Sequence, residues 1–153
     1  MVETLDRFVR FKTFVRAASD RVFDALATAD GLDMWFTSGC TLEPRAGGDL
    51  VFRWKDHGLE GFTGEYRGSV VEWRRPALFT FRWPVDLGDY QTKVTVAFQE
   101  TSRPHLGTGT LVSLEEGAYE DSVQGLQDMF RRTAGWAEVP TLLKLWVEHG
   151  ARY

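Results

Sequence analysis

The sequence predicts an α+β fold in which a curved antiparallel sheet, of about six to seven strands, wraps around a long C-terminal helix. Three observations predict it. Ser122–Gly150 is the one long segment with apolar residues at spacings of three and four, the period of a helix. From Thr37 to Glu115 the apolar period is two, and glycine and proline punctuate it, as in strands joined by tight connections. Between the first strand and this run lie two helical segments too short to be stable without a sheet to lean on. At 153 residues, 43% hydrophobic and 14% aromatic, the chain reads as one domain over 1–153 with a sizeable core.

Leu5–Arg16 alternates, with Val9, Phe11, Thr13 and Val15 on one face and Arg10, Lys12 and Arg16 on the other, and reads as a strand. Ser19 suits the cap of a helix carrying Val22, Phe23 and Leu26, which fades at Thr28. Asp30 suits the cap of a shorter turn, Gly31–Trp35. Cys40–Leu42 reads as a short strand, Pro44–Gly48 as a turn, and Asp49–Lys55 as a strand with Leu50, Phe52 and Trp54 in phase. Asp56–Gly61 is a loop. Phe62, Tyr66 and Val70 then share a face, whereas Val71 and Trp73 take the opposite parity, so a bulge is expected near Ser69–Val71. Arg74-Arg75-Pro76 turns the chain into Leu78–Trp83; Thr92–Phe98 and Gly109–Glu115 complete the meander, with Glu100–Gly107 as the loop between them. In the final helix Leu126, Met129, Phe130, Thr133, Ala137, Leu143 and Val147 form the apolar stripe, widened by Trp136 and Trp146. Pro140 removes a backbone donor and clashes one turn back, so the helix must kink or restart near Trp136.

Composition bounds the partners. A net charge of −4 with no concentrated basic face disfavours nucleic acid and anionic membranes. Met1–Arg10 has no apolar core for a signal peptide and no run is long enough to span a bilayer, so a cytoplasmic location is expected. The single cysteine, Cys40, agrees with a reducing compartment. The 14 Arg against 4 Lys, with no Asn or Ile, fit selection for heat resistance and GC-rich coding equally well.

Chemical motifs are few. Three scattered histidines and one cysteine have no ligand spacing, so no metal and no cofactor are expected. The Asp56-His57 pair is the first candidate base, and its polar turn reads better as a solvated loop. Cys40 lacks a local base and reads as a small apolar residue. Ser38 and Ser113 have no nucleophile elbow, and Gly47-Gly48 precedes a strand, so no phosphate cradle forms. Arg53, Glu65, Arg67, Arg82 and Glu115 lie within strands at solvent parity, with Glu65 and Arg67 the two that the bulge could turn inward.

Ala18–Leu26 (ASDRVFDAL), Trp35-Phe36, Pro44–Gly48 (PRAGG), Arg75-Pro76 before Leu78–Phe81 (LFTF), and Gly135-Trp136 occur in one order along nearly the whole chain. This ordered set resembles the helix-grip, or START-like (SRPBCC), superfamily, and within it the family named for the activator of the Hsp90 ATPase. The resemblance implies a sheet gripping a C-terminal helix, with a cavity between them that often holds an apolar ligand. The superfamily includes lipid carriers, receptors, cyclases and chaperone partners, so fold alone does not fix the activity.

One sheet and one helix carry more aromatic residues than a sealed two-layer core usually needs, which favours a cavity. The expected ligand-binding residues are Trp35, Phe52, Trp54, Tyr66, Phe81, Trp83, Phe98, Met129, Phe130 and Trp136, with Glu65 and Arg67 as polar groups. The leading expectation is a non-enzymatic binder of a small apolar or amphipathic molecule. The alternatives are regulation of an Hsp90-type ATPase, by resemblance, and a cofactor-free cyclase or hydrolase. A homodimer through aromatic residues on the outer sheet face is the further partner to test.

Overall fold

Alternating burial organises the computed structural model, which describes residues 3–152. Seven strands form one antiparallel sheet: β1 (Val9–Val15), β2 (Thr41–Leu42), β3 (Asp49–His57), β4 (Phe62–Arg74), β5 (Leu78–Pro84), β6 (Gln91–Arg103) and β7 (Gly107–Gly117). Their order is β1-β7-β6-β5-β4-β3-β2, so the meander runs β2 to β7 and β1 closes the edge beside β7. On the inner face Phe81 lies opposite Val94, Phe79 opposite Val96, and Val96 opposite Leu114. All are buried. The register shifts between Val70 and Glu72, which is the bulge expected from the parity change, and again between Trp54 and His57. These shifts bend the strands around the inner face.

The helices α1 (Ser19–Ala27) and α2 (Ala29–Asp33) pack on that face through Val22, Phe23, Leu26 and Leu32. Phe23 meets Trp73 and Phe98 edge-on, with ring centroids 5.2 and 5.1 Å apart. Their caps differ from expectation. Ser19 is not a side-chain cap: its N–H and Oγ both donate to Glu100 Oε1 on β6, at 3.0 and 3.3 Å. α2 is capped by Thr28, whose Oγ1 accepts from Gly31 N at 3.0 Å, and Asp30 sits inside its first turn.

The C-terminal helix is in two pieces, α3 (Val123–Trp136) and α4 (Val139–His149). Pro140 lies in the first turn of α4, where its missing N–H leaves no bond unmade, so the proline restarts the helix rather than bending it. α4 ends on Gly150 in the left-handed conformation, φ 65°. Its buried side chains, Val139, Leu142, Leu143 and Val147, include two from the expected stripe.

α3 departs from that stripe. Its buried residues are Gly125, Asp128, Arg132 and Trp136, whereas Leu126 and Phe130 face outward, with Phe130 65% exposed. Both periodicities are helical. The polar one wins because the sheet end beneath α3 offers ionic and hydrogen-bonding partners, as described next. No helix among the described residues is long and apolar enough to cross a membrane.

Candidate functional site

In β7, Thr110, Val112 and Leu114 point inward, and the same parity puts Glu116 inward too. Its side chain is fully buried, at 0% exposure. A buried carboxylate requires donors, and four converge on it. Oε2 accepts from Trp83 Nε1 at 2.7 Å, from Thr92 Oγ1 at 2.6 Å, and from Arg132 Nη1; Oε1 accepts from Trp136 Nε1 at 2.7 Å. Arg132, 6% exposed, donates its second amino group to Pro84 O at 2.8 Å. Its guanidinium lies over the Trp83 ring, 4.4 Å from the centroid, and 5.7 Å from that of Tyr66. One turn earlier, Asp128 accepts from the backbone N–H groups of Leu87 and Gly88 at 2.8 and 3.1 Å. The inner edge of α3 is thus a polar ridge keyed into β5, β7 and the β5–β6 connection.

Above this network, where α3 breaks from α4, a cavity of about 210 Å³ opens between the helices and the β3–β4 hairpin. Its wall includes the rings of Phe36, Trp54, Phe62, Tyr66, Trp83 and Trp136, the side chains of Arg132, Val139 and Leu142, and His57. Asp86, Arg131 and Glu138 complete it and are exposed to solvent. Trp54 Nε1 is buried without a partner. Tyr66 donates its hydroxyl to Asp86 at 2.5 Å, and burial together with that bond pushes the phenol up to about 12. Burial holds the His57 imidazole below its ordinary value, partly opposed by the charge of Glu138. His57 also meets Phe36 edge-on, with centroids 5.6 Å apart. A larger groove of about 950 Å³ runs between α1, α2 and the end of α4, but it is an open surface whose Asp24 and Arg75 already pair at 2.8 Å.

Of the expected site residues, Trp54, Tyr66, Trp83 and Trp136 stand in the cavity wall. Trp35, Phe52, Phe81 and Phe98 are buried in the core and outside that wall. Met129 is half-buried against the core. Phe130 is a correction, being on the solvent side of α3. Glu65 and Arg67 are a second correction: both are exposed, with Arg67 Nε donating to Glu65 at 2.9 Å on the outer face. The bulge falls after them, between Val70 and Glu72, and so leaves their outward parity intact. His57 is a third, since it closes β3 and half-buries at the cavity instead of lying in a solvated loop. Burial drives the Cys40 thiol up to about 12, which leaves it unreactive.

Glu116, Asp128 and Arg132 are absent from the sequence-based set. The signal for Glu116 was present, because it extends the inward parity of β7, but the strand reading stopped at Glu115. Arg132 and Asp128 share the helical spacing of Trp136 and Gly125; on a helix that also carries Leu126 and Phe130, the apolar stripe hid the polar one.

Residues 16–148 match the family described as "Activator of Hsp90 ATPase homolog 1-like protein". No curated protein matches the chain significantly. Among solved structures, a Staphylococcus saprophyticus protein is similar over 96% of both chains, at 19% identity and a TM-score of 0.73. The Aha1 dimer of Colwellia psychrerythraea is similar over 94% of this chain and 98% of that one, at 18% identity and a TM-score of 0.73. DynU16, from the dynemicin biosynthetic locus, is similar at 19% identity and a TM-score of 0.76; the match covers 97% of this chain and 51% of that one. At these identities the likeness is one of fold.

Proposed function

This chain belongs to the Activator of Hsp90 ATPase homolog 1-like family, and from that premise we propose that it binds a small apolar or amphipathic molecule between the sheet and the C-terminal helices, without catalysis. The observation that carries this reading is the aromatic cavity of about 210 Å³ at the α3–α4 break. An apolar cavity of about 150 Å³ accepts a benzene-sized molecule, so the space here suits one or two rings better than a long acyl chain. Catalysis is left out because both oxygens of the one buried carboxylate beside the cavity, Glu116, are already engaged by donors, and the carboxylates of the wall itself, Asp86 and Glu138, are exposed to solvent.

The test is a thermal-shift screen of one- and two-ring compounds, with native mass spectrometry of the purified protein. A saturating ligand at about 100 times its Kd stabilises by about 2.7 kcal/mol, a shift of several degrees. A cavity-filling Leu142→Trp variant is expected to lose the response. If no compound stabilises the wild type and no small molecule is retained, the reading is wrong.

A second reading, contact with a chaperone of the Hsp90 type, draws on the family description and on the exposed apolar residues Val123, Leu126 and Phe130 of α3. It predicts capture of the host's Hsp90-type chaperone by wild type and not by Phe130→Asp. Equal capture, or none, discards it.

A further inference from the structure

We infer that Glu116, which lies behind the cavity wall, sets the charge preference of the cavity: by pairing with Arg132 it makes the site select uncharged ring molecules over carboxylates of the same shape. The inference rests on the ligand-binding reading and goes beyond it to the class of ligand. Arg132 is the one cationic side chain of the wall that is buried, and by itself it would attract an anion. Its two amino groups are instead committed, one to Glu116 and one to Pro84 O. The face of its guanidinium is covered by Trp83. A ligand carboxylate entering this space gives up its hydration and meets a guanidinium whose charge is already balanced. The rim adds to the bias, since exposed Asp86 and Glu138 outnumber Arg131. An uncharged ring meets none of these penalties and keeps contact with the aromatic wall.

Glu116 does not line the cavity, so it acts through Arg132 as a positioning residue. Glu116→Gln keeps the shape and one of the two acceptor oxygens while removing the balancing charge. Arg132 then gains a net positive charge facing the ligand, and carboxylates should bind.

The experiment uses 2-acetonaphthone and 2-naphthoate, which differ in charge and little in shape, titrated by tryptophan fluorescence and calorimetry. The wild type is expected to bind the ketone at least tenfold more tightly than the carboxylate. In Glu116→Gln that ratio is expected to fall at least tenfold, a change of preference that general loosening of the fold would not produce. Wild-type protein that binds the carboxylate as well as the ketone, or a ratio unchanged in Glu116→Gln, overturns the inference. Should Glu116→Gln fail to fold, the wild-type pair decides alone. Naphthalene is the control: if it and both probes fail to bind, the ligand-binding reading itself is lost, whereas binding of naphthalene with a preference for the carboxylate sinks only the charge filter.

Discussion

Glu116 and Arg132 form the most deeply buried ion pair among the described residues. A buried ion pair gains little over an apolar pair of the same shape, but removing one partner strands a charge and costs about 3–5 kcal/mol. Glu116→Ala and Arg132→Met should each fall in that range in urea unfolding. The double variant Glu116→Gln/Arg132→Met should be at least about 1 kcal/mol more stable than Arg132→Met alone, because it carries no unpaired buried charge, even though the single amide oxygen accepts from only one of the two indoles. Single variants costing less than about 1 kcal/mol would mean that water reaches the pair. His57 gives a second, pH-dependent prediction. Burial depresses its pKa in the folded protein, so the neutral ring is favoured; its contribution is complete above the ordinary value of 6.5 and is lost as pH falls below it. A ligand that dries the cavity mouth acts in the same direction. Affinity for 2-acetonaphthone should therefore weaken from pH 7.5 to 5.5, and a His57→Gln variant should show a flat profile over that range.

Among the elements, α3 decides how the site is built. Its buried residues, Gly125, Asp128, Arg132 and Trp136, step along one face. Gly125 lets the first turn approach so closely that an added Cβ would lie 1.8 Å from Glu120 O. Asp128 then holds the β5–β6 connection by two backbone N–H groups. Asp128→Ala leaves those donors in a half-buried position and should cost about 2–3 kcal/mol by urea unfolding. A loss below about 0.5 kcal/mol would mean that solvent replaces the carboxylate freely. The same helix marks where sequence reading stops. Its existence, its start at Ser122 and its break near Trp136 were legible from period and proline, because these depend on local backbone chemistry. Which face turns inward was not, since that depends on Glu116, 16 residues from Arg132, and on the Leu87–Gly88 backbone, 41 and 40 residues from Asp128. Leu126 and Phe130 gave the stronger local signal and the tertiary partners overrode it.

At the scale of the molecule, the meander and the bulge that bends it followed from parity and short connections, whereas the pairing of β1 with β7 and the cavity's place did not. The sheet closes tightly at its β1–β7 end, where Val15, Phe23, Leu26 and Leu143 are buried, and gapes at the β3–β4 hairpin. α4 is tied across the closed end. Lys144 Nζ donates to Phe14 O at 2.6 Å and to Glu148 at 2.5 Å, and Arg16 reaches Glu148 at 3.3 Å. For Glu148, burial alone would raise the carboxyl pKa, but the bonds from Lys144 and Arg16 outweigh it and the net displacement is downward. A carboxylate depressed in the folded state contributes stability that is full above its unfolded value and lost as pH falls through the folded one. Asp24 at the α1–Arg75 contact is lowered by the hydrogen bond and charge of Arg75 and adds in the same sense, though its exposure screens it. Unfolding free energy measured in urea should therefore decline as pH falls below about 4.5. Glu148→Gln should lower stability at pH 7 by about 1–2 kcal/mol, flatten the acid decline, and meet the wild-type curve at low pH. Parallel curves from pH 7 to 3 would mean that the α4 tether carries no ionic stabilisation, and that apolar packing of Leu143 and Val147 alone holds the helix over the sheet.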